Sequence, residues 1–340
     1  MSQGDLALVD TLDAAGRHTE AIAALARATG AGDRDAMAAL GQRLLTGDRG
    51  PHIPADGARF LLEAAQRGQP DAQERAAALL AGGVFAAQSW PQAVKMLAQA
   101  ATNGNLAARY QLAAMTGIAD PAGAWDQLAS QFDLTRWLNA PPSEYVSQEP
   151  LIRRFPQLLP DPVCAWLIER SRGRLTRARV YDPIGQRNST HEMRTNTTAT
   201  FGIADVGCLH FLVQARMAAG CGMALTHFEA PAVLHYDVGE QITPHFDFID
   251  PRLPDYEQQV RVQGQRNYTF LIYLNDAYEG GETTFPELGI RHRGSIREGL
   301  LFSNIDAHDE PELRMLHAGE PPISGEKWIL SQFIRRRPAR

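Results

Sequence analysis

Apolar positions in the first 117 residues recur with the spacing of amphipathic helices. Alanine dominates this stretch and β-branched residues are few, which favours helix because alanine loses no side-chain entropy on folding. Three sets of identical residues recur at an offset of 36: Gly32, Gly68 and Gly104; Ala36, Ala72 and Ala108; and Leu25, Leu61 and Leu97. One such unit cannot bury its apolar face alone, so we expect the units to stack into a short helical solenoid.

The pattern changes to that of a β-rich domain after residue 150. The segment DPVCAWLIERSRG first predicts an amphipathic helix that opens at Asp161 and closes at Gly173. Later segments are rich in β-branched and aromatic residues, often alternate, and predict strands: AVLHYDV, ITPHFDF, NYTFLIYL, GLLFSNI and KWILSQFI. Strands at such short intervals indicate a sandwich or barrel. Between the two regions, residues 118–150 predict a proline-rich linker with one short helix, AWDQLASQFDLTRWLN.

Composition and charge exclude several classes of protein. With 44% hydrophobic and 21% charged residues the chain can bury a core, and its net charge of -6 provides no basic field for nucleic acid or an anionic membrane. The N-terminal segment has neither a basic start nor an apolar core typical of a secretory signal, so we expect a cytoplasmic protein. The three cysteines are too far apart for a CxxC metal clip.

Candidate metal ligands lie in the β-rich region. His245 and Asp247 are two residues apart in a predicted strand, so their side chains are expected on the same face. His317, further along the chain, is a third candidate. Two histidines and one carboxylate are the facial triad of non-haem Fe(II) oxygenases, which leaves positions open for a cosubstrate and O2.

A buried cation is predicted ten residues after His317. Lys327 begins the apolar segment KWILSQFI, where an ammonium is costly to bury without an anionic partner. The dicarboxylate 2-oxoglutarate would supply that partner, with its other end on the iron. Tyr236 and Thr283 are the expected hydroxyl donors to the same cosubstrate.

The remaining histidines and cysteines are assigned structural or solvated roles. We expect His235 to be packed or at the surface, on the strand face opposite Tyr236, and His292 and His308 to be solvated. Cys208 and Cys221, at the two ends of a predicted helix, are expected in the core rather than as nucleophiles.

Residues from about 151 to 336 resemble the prolyl 4-hydroxylase family of Fe(II)/2-oxoglutarate dioxygenases. The matching segments, in the order of the family, are LIERS, MRTN, VLHYDVGEQITPHFDFID, YTFLIYLNDAYEGGETTFPELG and HAGEPPISGEKWILSQFIR. The resemblance implies an α+β protein whose core, at about 230–336, is a double-stranded β-helix (jelly roll) with flanking helices. It also implies Fe(II), 2-oxoglutarate and O2 as reactants and ascorbate as reductant.

The same resemblance implies a role for each candidate residue. His245, Asp247 and His317 are the implied iron ligands, and Lys327, Tyr236 and Thr283 the implied 2-oxoglutarate contacts. Arg266 and Arg194 match family residues near the substrate. Ile242 and Phe333 stand where many members have a tyrosine and a tryptophan, so the substrate-binding residues differ from the usual pattern.

The N-terminal repeats resemble Sel-one-like repeats, which are relatives of tetratricopeptide repeats. We therefore predict repeats at 1–117, a linker at 118–150 and a dioxygenase domain at 151–340. The repeats either bind a protein partner or only cap the second domain. The leading hypothesis is hydroxylation of a prolyl residue in a protein or peptide. The alternatives are the same chemistry on another residue or a small molecule, a zinc hydrolase, and a non-catalytic scaffold.

Overall fold

The structure, a computed structural model, describes residues 3–119, 121–178, 180–182, 187–189, 194–250 and 254–338. By its internal contacts the chain forms two compact units, one of residues 1–134 with 202–212 and the other of residues 135–201 with 213–340. Among the helices of these described residues, none is both long and apolar enough to cross a membrane.

The N-terminal unit is helical. Its helices are α1 (Gln3–Ala14), α2 (His18–Gly30), α3 (Arg34–Thr46), α4 (Pro54–Gln66), α5 (Pro70–Gly82), α6 (Trp90–Thr102), α7 (Leu106–Thr116) and α8 (Trp125–Ser130). Helices α2, α4 and α6 begin 36 residues apart, as do α3, α5 and α7. The predicted repeat therefore corresponds to three helix pairs, and consecutive helices pack against one another along the unit.

The repeated residues have the roles that their chemistry predicts. The three leucines and three alanines of the 36-residue pattern are at most 1% exposed. Gly32, Gly68 and Gly104 have φ of 88°, 78° and 97°, a left-handed conformation that glycine adopts without a Cβ clash. The sequence also contains a third element of the repeat that we did not predict. Asp33, Gln69 and Asn105, again 36 apart, cap the second helix of each pair by accepting from the backbone N–H three residues on.

The packing of α3 against α4 depends on glycine. A Cβ at Gly57 in α4 would lie 2.3 Å from the backbone nitrogen of Leu45 in α3 and 2.7 Å from the carbonyl oxygen of Gly41. Both contacts are with backbone, which cannot move aside without separating the two helices.

We therefore expect Gly57→Ala to lower the free energy of unfolding of the protein by roughly 1–3 kcal/mol, the usual effect of overpacking. Chemical denaturation measures this directly. The matched control is Gly30→Ala in α2, where an added Cβ meets no atom within 4 Å and alanine is the better helix former. Equal effects of the two substitutions would contradict the close-packing explanation.

A short segment from the second half of the sequence belongs to the helical unit. The Arg75 guanidinium donates to the carbonyl oxygens of Ile203, at 2.5 Å, and Val206, at 2.8 Å. The backbone nitrogen of Leu209 donates to Gln111 Oε1 at 3.0 Å. These contacts place residues 202–212 in the helical unit. The domain boundaries at 117 and 150 stay a prediction.

The second unit is built mainly of antiparallel strands. They are β1 (Glu144–Ser147), β2 (Ile152–Phe155), β3 (Thr176–Arg177), β4 (Val180–Asp182), β5 (Arg187–Ser189), β6 (Thr197–Thr200), β7 (Ala232–Tyr236), β8 (Ile242–His245), β9 (Arg266–Tyr273), β10 (Tyr278–Gly280), β11 (Thr283–Phe285), β12 (Ile290–His292), β13 (Gly299–Ser303), β14 (His317–Gly319), β15 (Pro322–Gly325) and β16 (Lys327–Arg335). The remaining helices are α9 (Leu134–Leu138), α10 (Asp161–Arg172), α11 (Cys208–Cys221) and α12 (Pro254–Gln263).

Two sheets form the body of this unit. The larger has the order β1-β2-β13-β9-β16-β7-β6-β3 and the smaller β12-β11-β14-β8. Apolar side chains of both sheets meet in one core, in which Phe285 of the smaller sheet packs with Leu300, Phe302 and Ile329 of the larger. Helix α10 packs outside, on β6 and β7. Two antiparallel sheets around one core, with flanking helices and preceding repeats, confirm the predicted fold class.

The predicted elements differ from the observed ones in two places. The single helix predicted over AWDQLASQFDLTRWLN is two helices, α8 and α9, separated at residues 131–133. The strand predicted over ITPHFDF ends at His245, so Asp247 lies beyond it. By contrast, α10 opens at Asp161 and ends before Gly173, as predicted.

Candidate active site

Strand pairing brings the two candidate histidines together. His245 ends β8 and His317 begins β14, and the two are direct partners in the antiparallel ladder. Their ring centroids are 4.3 Å apart. The register of the smaller sheet thus places side chains together that are 72 residues apart in the sequence.

The backbone fixes which ring nitrogen each histidine presents. Nδ1 of His245 lies 2.9 Å from the carbonyl oxygen of Thr243, and Nδ1 of His317 lies 3.0 Å from that of Met315. A carbonyl oxygen only accepts, so each Nδ1 carries the hydrogen and donates it. In the neutral imidazole the lone pair is then on Nε2, the nitrogen that faces the partner side chains.

Asp247 completes the cluster, although not by the predicted strand alternation. Its Oδ1 is 3.5 Å from Nε2 of His245 and its Oδ2 is 3.3 Å from Nε2 of His317. Because β8 ends at His245, side chains of β9 hold the aspartate instead. Thr269 Oγ1 donates to Oδ2 at 2.7 Å, and the Arg266 guanidinium donates to the backbone carbonyl of Asp247 at 3.3 Å.

The donor set suits a divalent metal ion. The ligand atoms of His245, Asp247 and His317 all lie within 4.8 Å of one another. Burial would raise the pKa of Asp247. When the histidines carry a proton on Nε2 in place of a metal ion, the charge of His317 and the hydrogen bonds from both rings outweigh burial and hold that pKa well below its usual value. Two imidazole nitrogens and an anionic carboxylate fit Fe(II) and similar ions. The assignment of these three residues as ligands stays a prediction.

Lys327 is the buried cation of the site. Its side chain is 1% exposed at the start of β16, directly opposite Tyr236 of β7 in the ladder. Nζ is 5.0 Å from the centre of the Tyr236 ring and has no hydrogen-bond partner among the described residues. Burial lowers the pKa of Lys327 to about 7, although the charges of Glu282 and Glu320 act in the opposite direction. An unpartnered buried ammonium fits an anionic ligand.

One cavity joins the metal-type cluster to Lys327. It is lined by nine of the ten predicted site residues: His245, Asp247, His317, Lys327, Tyr236, Thr283, Arg194, Ile242 and Phe333. Thr283 is buried, and its hydroxyl shares a 2.8 Å hydrogen bond with that of Tyr273. Arg194 forms a backbone bridge with Ile242 and donates through Nε to Asn196 Oδ1 at 3.0 Å.

Arg266 is the predicted site residue that does not line this cavity. Its guanidinium donates to both oxygens of Glu229, at 2.9 and 3.0 Å, and lies 3.7 Å from the centre of the Phe333 ring. The predicted substrate role of Arg266 is not tested by these contacts. They do show that it positions Phe333 and the backbone of Asp247.

Several other predicted or overlooked residues are located by the structure. His235 is packed as predicted, with Nε2 3.0 Å from Glu326 Oε2 and its ring against Trp328. The prediction for His292 was wrong, because it is half-buried and paired with the buried Glu298. His308 is exposed and Cys208 is buried, while Cys221 is half-buried. Sequence reasoning missed Thr269, which was interpreted only as part of the strand segment NYTFLIYL, and Glu229, which lies outside the matching segments.

Comparisons with known proteins identify relatives of the region that contains this site. Residues 231–335 match the family model of the 2OG-Fe(II) oxygenase superfamily. The chain is 29% identical over 190 residues to the prolyl 4-hydroxylase subunit alpha-1 of Rattus norvegicus, an alignment that covers 56% of this chain and 35% of that relative. The chain thus spans about a third of the length of this relative.

Two solved structures resemble different parts of the chain. The viral collagen prolyl hydroxylase of Paramecium Bursaria Chlorella virus-1 is similar over 54% of this chain and 94% of its own, with 24% identity and a TM-score of 0.42. A Sel1 repeat protein from Oxalobacter formigenes is similar over 38% of this chain and 58% of its own, with 19% identity and a TM-score of 0.31. The chain therefore matches the 2OG-Fe(II) oxygenase superfamily over residues 231–335, resembles prolyl 4-hydroxylases, and carries helical repeats before the matching region.

Proposed function

We propose that this protein is an Fe(II)- and 2-oxoglutarate-dependent dioxygenase that hydroxylates a prolyl residue of a protein or peptide. The observation that carries the proposal is the single cavity shared by two unlike features. One is the cluster of three ligand atoms within 4.8 Å, and the other is the buried ammonium of Lys327, which has no hydrogen-bond partner among the described residues.

Each part of the cavity has a distinct task in this proposal. His245, Asp247 and His317 would hold Fe(II) through three donor atoms and leave it accessible to the cosubstrate and O2. Bound together, Fe(II), 2-oxoglutarate and O2 would supply the oxidation that yields succinate, CO2 and a hydroxylated C–H position, with ascorbate as reductant. Lys327 would neutralise the far carboxylate of 2-oxoglutarate, with the hydroxyls of Tyr236 and Thr283 as further donors.

The walls of the cavity support a prolyl substrate. Ile242 and Phe333 are apolar, and the relatives whose sequences match this domain include proteins named as prolyl 4-hydroxylases. A pyrrolidine ring offers no hydrogen-bonding group, so apolar walls suit it. Arg194, whose Nε is bonded to Asn196, lines the same cavity with a cation that would bind a peptide carbonyl.

The test combines a spectrum with product analysis. Anaerobic addition of Fe(II) and 2-oxoglutarate should produce a weak visible charge-transfer band, which a zinc hydrolase or a non-catalytic scaffold would not produce. Mass spectrometry of proteins from a deletion strain should then reveal peptides that have lost the mass of one oxygen atom at proline. A lost mark on another residue would keep the chemistry and refute the prolyl substrate.

We also propose that the repeats hold a protein partner. Supporting this, a groove of about 730 Å³ in the helical unit is lined mainly by polar side chains, among them Gln66, Gln99, Lys95 and Asp126. Full-length protein is the form to test, because residues 202–212 are part of the helical unit and deletion of 1–117 would expose the buried Cys208 and Leu209.

Reversal of the charge of Lys95 in this groove tests the proposal. Lys95 is exposed, so Lys95→Glu should leave folding unchanged within about 0.5 kcal/mol. It should weaken hydroxylation of an intact partner protein severalfold and leave that of a short peptide with the same target unchanged, since remote contacts contribute only to the larger substrate. If Lys95→Glu changes the rate of hydroxylation of neither the intact protein nor the peptide, repeats that act only as a cap are favoured.

A further inference from the structure

The position of Asp247 is not set by the β-sheet that holds the two histidines. His245 and His317 are ladder partners, whereas Asp247 follows the end of β8. Neither the ladder, which ends before Asp247, nor the side chain's own staggered rotamers fix the carboxylate in one place, so other groups must hold it. In this protein the fixing groups come from the larger sheet.

Thr269 is the residue of β9 that contacts the carboxylate. Its side chain is 1% exposed, and its Oγ1 is 2.7 Å from Asp247 Oδ2. An ionised carboxylate has no hydrogen to give, so the hydroxyl must be the donor. Such a charge-assisted hydrogen bond in a dry interior is stronger than one between neutral groups.

Asn304 fixes the direction of that hydroxyl. Its side-chain Nδ2 donates to Thr269 Oγ1 at 2.9 Å, which occupies an acceptor lone pair and leaves the hydroxyl hydrogen for Asp247. Asn304 is itself 2% exposed and held by its backbone, which donates to the carbonyl of Asn267 and accepts from the nitrogen of Glu312. The chain of donors therefore runs one way, from Asn304 through Thr269 to Asp247.

We infer that Thr269, oriented by Asn304, is a positioning residue that fixes the Asp247 carboxylate for metal binding. The hydrogen bond holds Oδ2, which lies 3.3 Å from Nε2 of His317, and it thereby keeps Oδ1 facing His245, 3.5 Å from its Nε2. Thr269 does not line the cavity itself, so it acts through Asp247 and not on substrate. This inference rests on the proposed metal site.

The experiment measures binding of Co(II) alone, without 2-oxoglutarate or turnover. Thr269→Val removes the hydroxyl at nearly constant volume, and we expect it to weaken Co(II) binding by roughly 10–100-fold, the usual effect of losing a group that orients a metal ligand. The visible spectrum of bound Co(II) should change as well. Thr269→Ser keeps the hydroxyl and should bind Co(II) within a few fold of the unsubstituted protein.

A matched control separates this role from packing. Thr284 is a buried threonine in β11 that donates to Glu320 at 3.1 Å and does not line the cavity. Thr284→Val should therefore leave Co(II) binding unchanged, even if it lowers the unfolding temperature. Should Thr269→Val not fold, Thr269→Ser and Thr269→Ala, both smaller than threonine, give the same comparison with and without the hydroxyl.

The outcomes distinguish failure of this inference from failure of the proposed function. If the unsubstituted protein binds Co(II) no better than Asp247→Ala does, the proposed metal site is wrong. If it binds Co(II) well and Thr269→Val binds equally well, only the role of Thr269 is refuted. Weak binding by the serine variant together with normal binding by the valine variant would show that packing of the methyl group, and not the hydroxyl, is what matters.

Discussion

Replacement of His245, Asp247 or His317 by alanine is expected to abolish conversion of 2-oxoglutarate to succinate. Each residue supplies one of three donor atoms that lie within 4.8 Å of one another, and two donors bind a divalent ion far less tightly than three. Loss of a residue that only orients a ligand weakens a metal site roughly 10–100-fold. Loss of a ligand itself should weaken metal binding by more than this. Succinate release at saturating Fe(II) measures the effect.

Two further variants make this result specific. Asp247→Glu keeps the charge but extends the side chain by one methylene past the hydroxyl of Thr269, so it should also be severely impaired. His235→Ala is the matched control, since His235 is a buried histidine that pairs with Glu326 and packs against Trp328 outside the cavity. It should retain turnover at temperatures where the protein stays folded. Iron-dependent succinate production by any of the three alanine variants would refute the assigned ligands.

The sequence contained enough to predict these residues but not the geometry that unites them. His245 and His317 could be predicted as ligands from their residue type and their order along the chain. Their contact, however, depends on the register of β8 and β14, which no local pattern encodes. Asp247 was predicted for a partly wrong reason. Its side chain reaches the histidines because Thr269 and Arg266 hold it, not because a strand continues through it.

Repeats were the most predictable part of the fold, because one period determines several features at once. The offset that relates Gly32, Gly68 and Gly104 also relates the helix starts and the capping residues. Contacts between distant segments were not predictable. The guanidinium of Arg266 binds Glu229, which is 37 residues away, and residues 202–212 belong to the helical unit. Side-chain chemistry alone does not determine such partners.

Lys327→Met is expected to weaken 2-oxoglutarate binding by roughly 100-fold or more while it stabilises the ligand-free protein. Removing one member of a buried ion pair typically costs about 3–5 kcal/mol, which sets the loss of affinity. Without ligand, however, the ammonium is buried with no hydrogen-bond partner among the described residues, and burial disfavours its charge. Methionine, of similar shape and without charge, removes that penalty. Isothermal titration and chemical denaturation measure the two effects separately.

The pH dependence of binding follows from the pKa of Lys327, which burial lowers to about 7 in the ligand-free protein. A bound dicarboxylate favours the charged ammonium and raises this pKa, so binding at pH 8 should take up a proton. Affinity should then fall as the pH rises above 7, by up to roughly tenfold per pH unit. Titration in buffers of different ionisation enthalpy detects the proton uptake, which Lys327→Met should lose.

Lys327→Arg and Lys95→Met complete the comparison. Lys95 and Lys327 are the two lysines of the sequence, and Lys95 is exposed in the helical unit, so Lys95→Met should change neither affinity nor proton uptake. Arginine keeps the charge but is larger and planar, and the backbone of Gly281 leaves little room for it, since a Cβ added there would lie 3.2 Å from Lys327 Cδ. We expect Lys327→Arg to restore part of the affinity and no proton uptake at pH 8, because arginine stays protonated. Unchanged 2-oxoglutarate binding in Lys327→Met would show that this ammonium does not hold the cosubstrate.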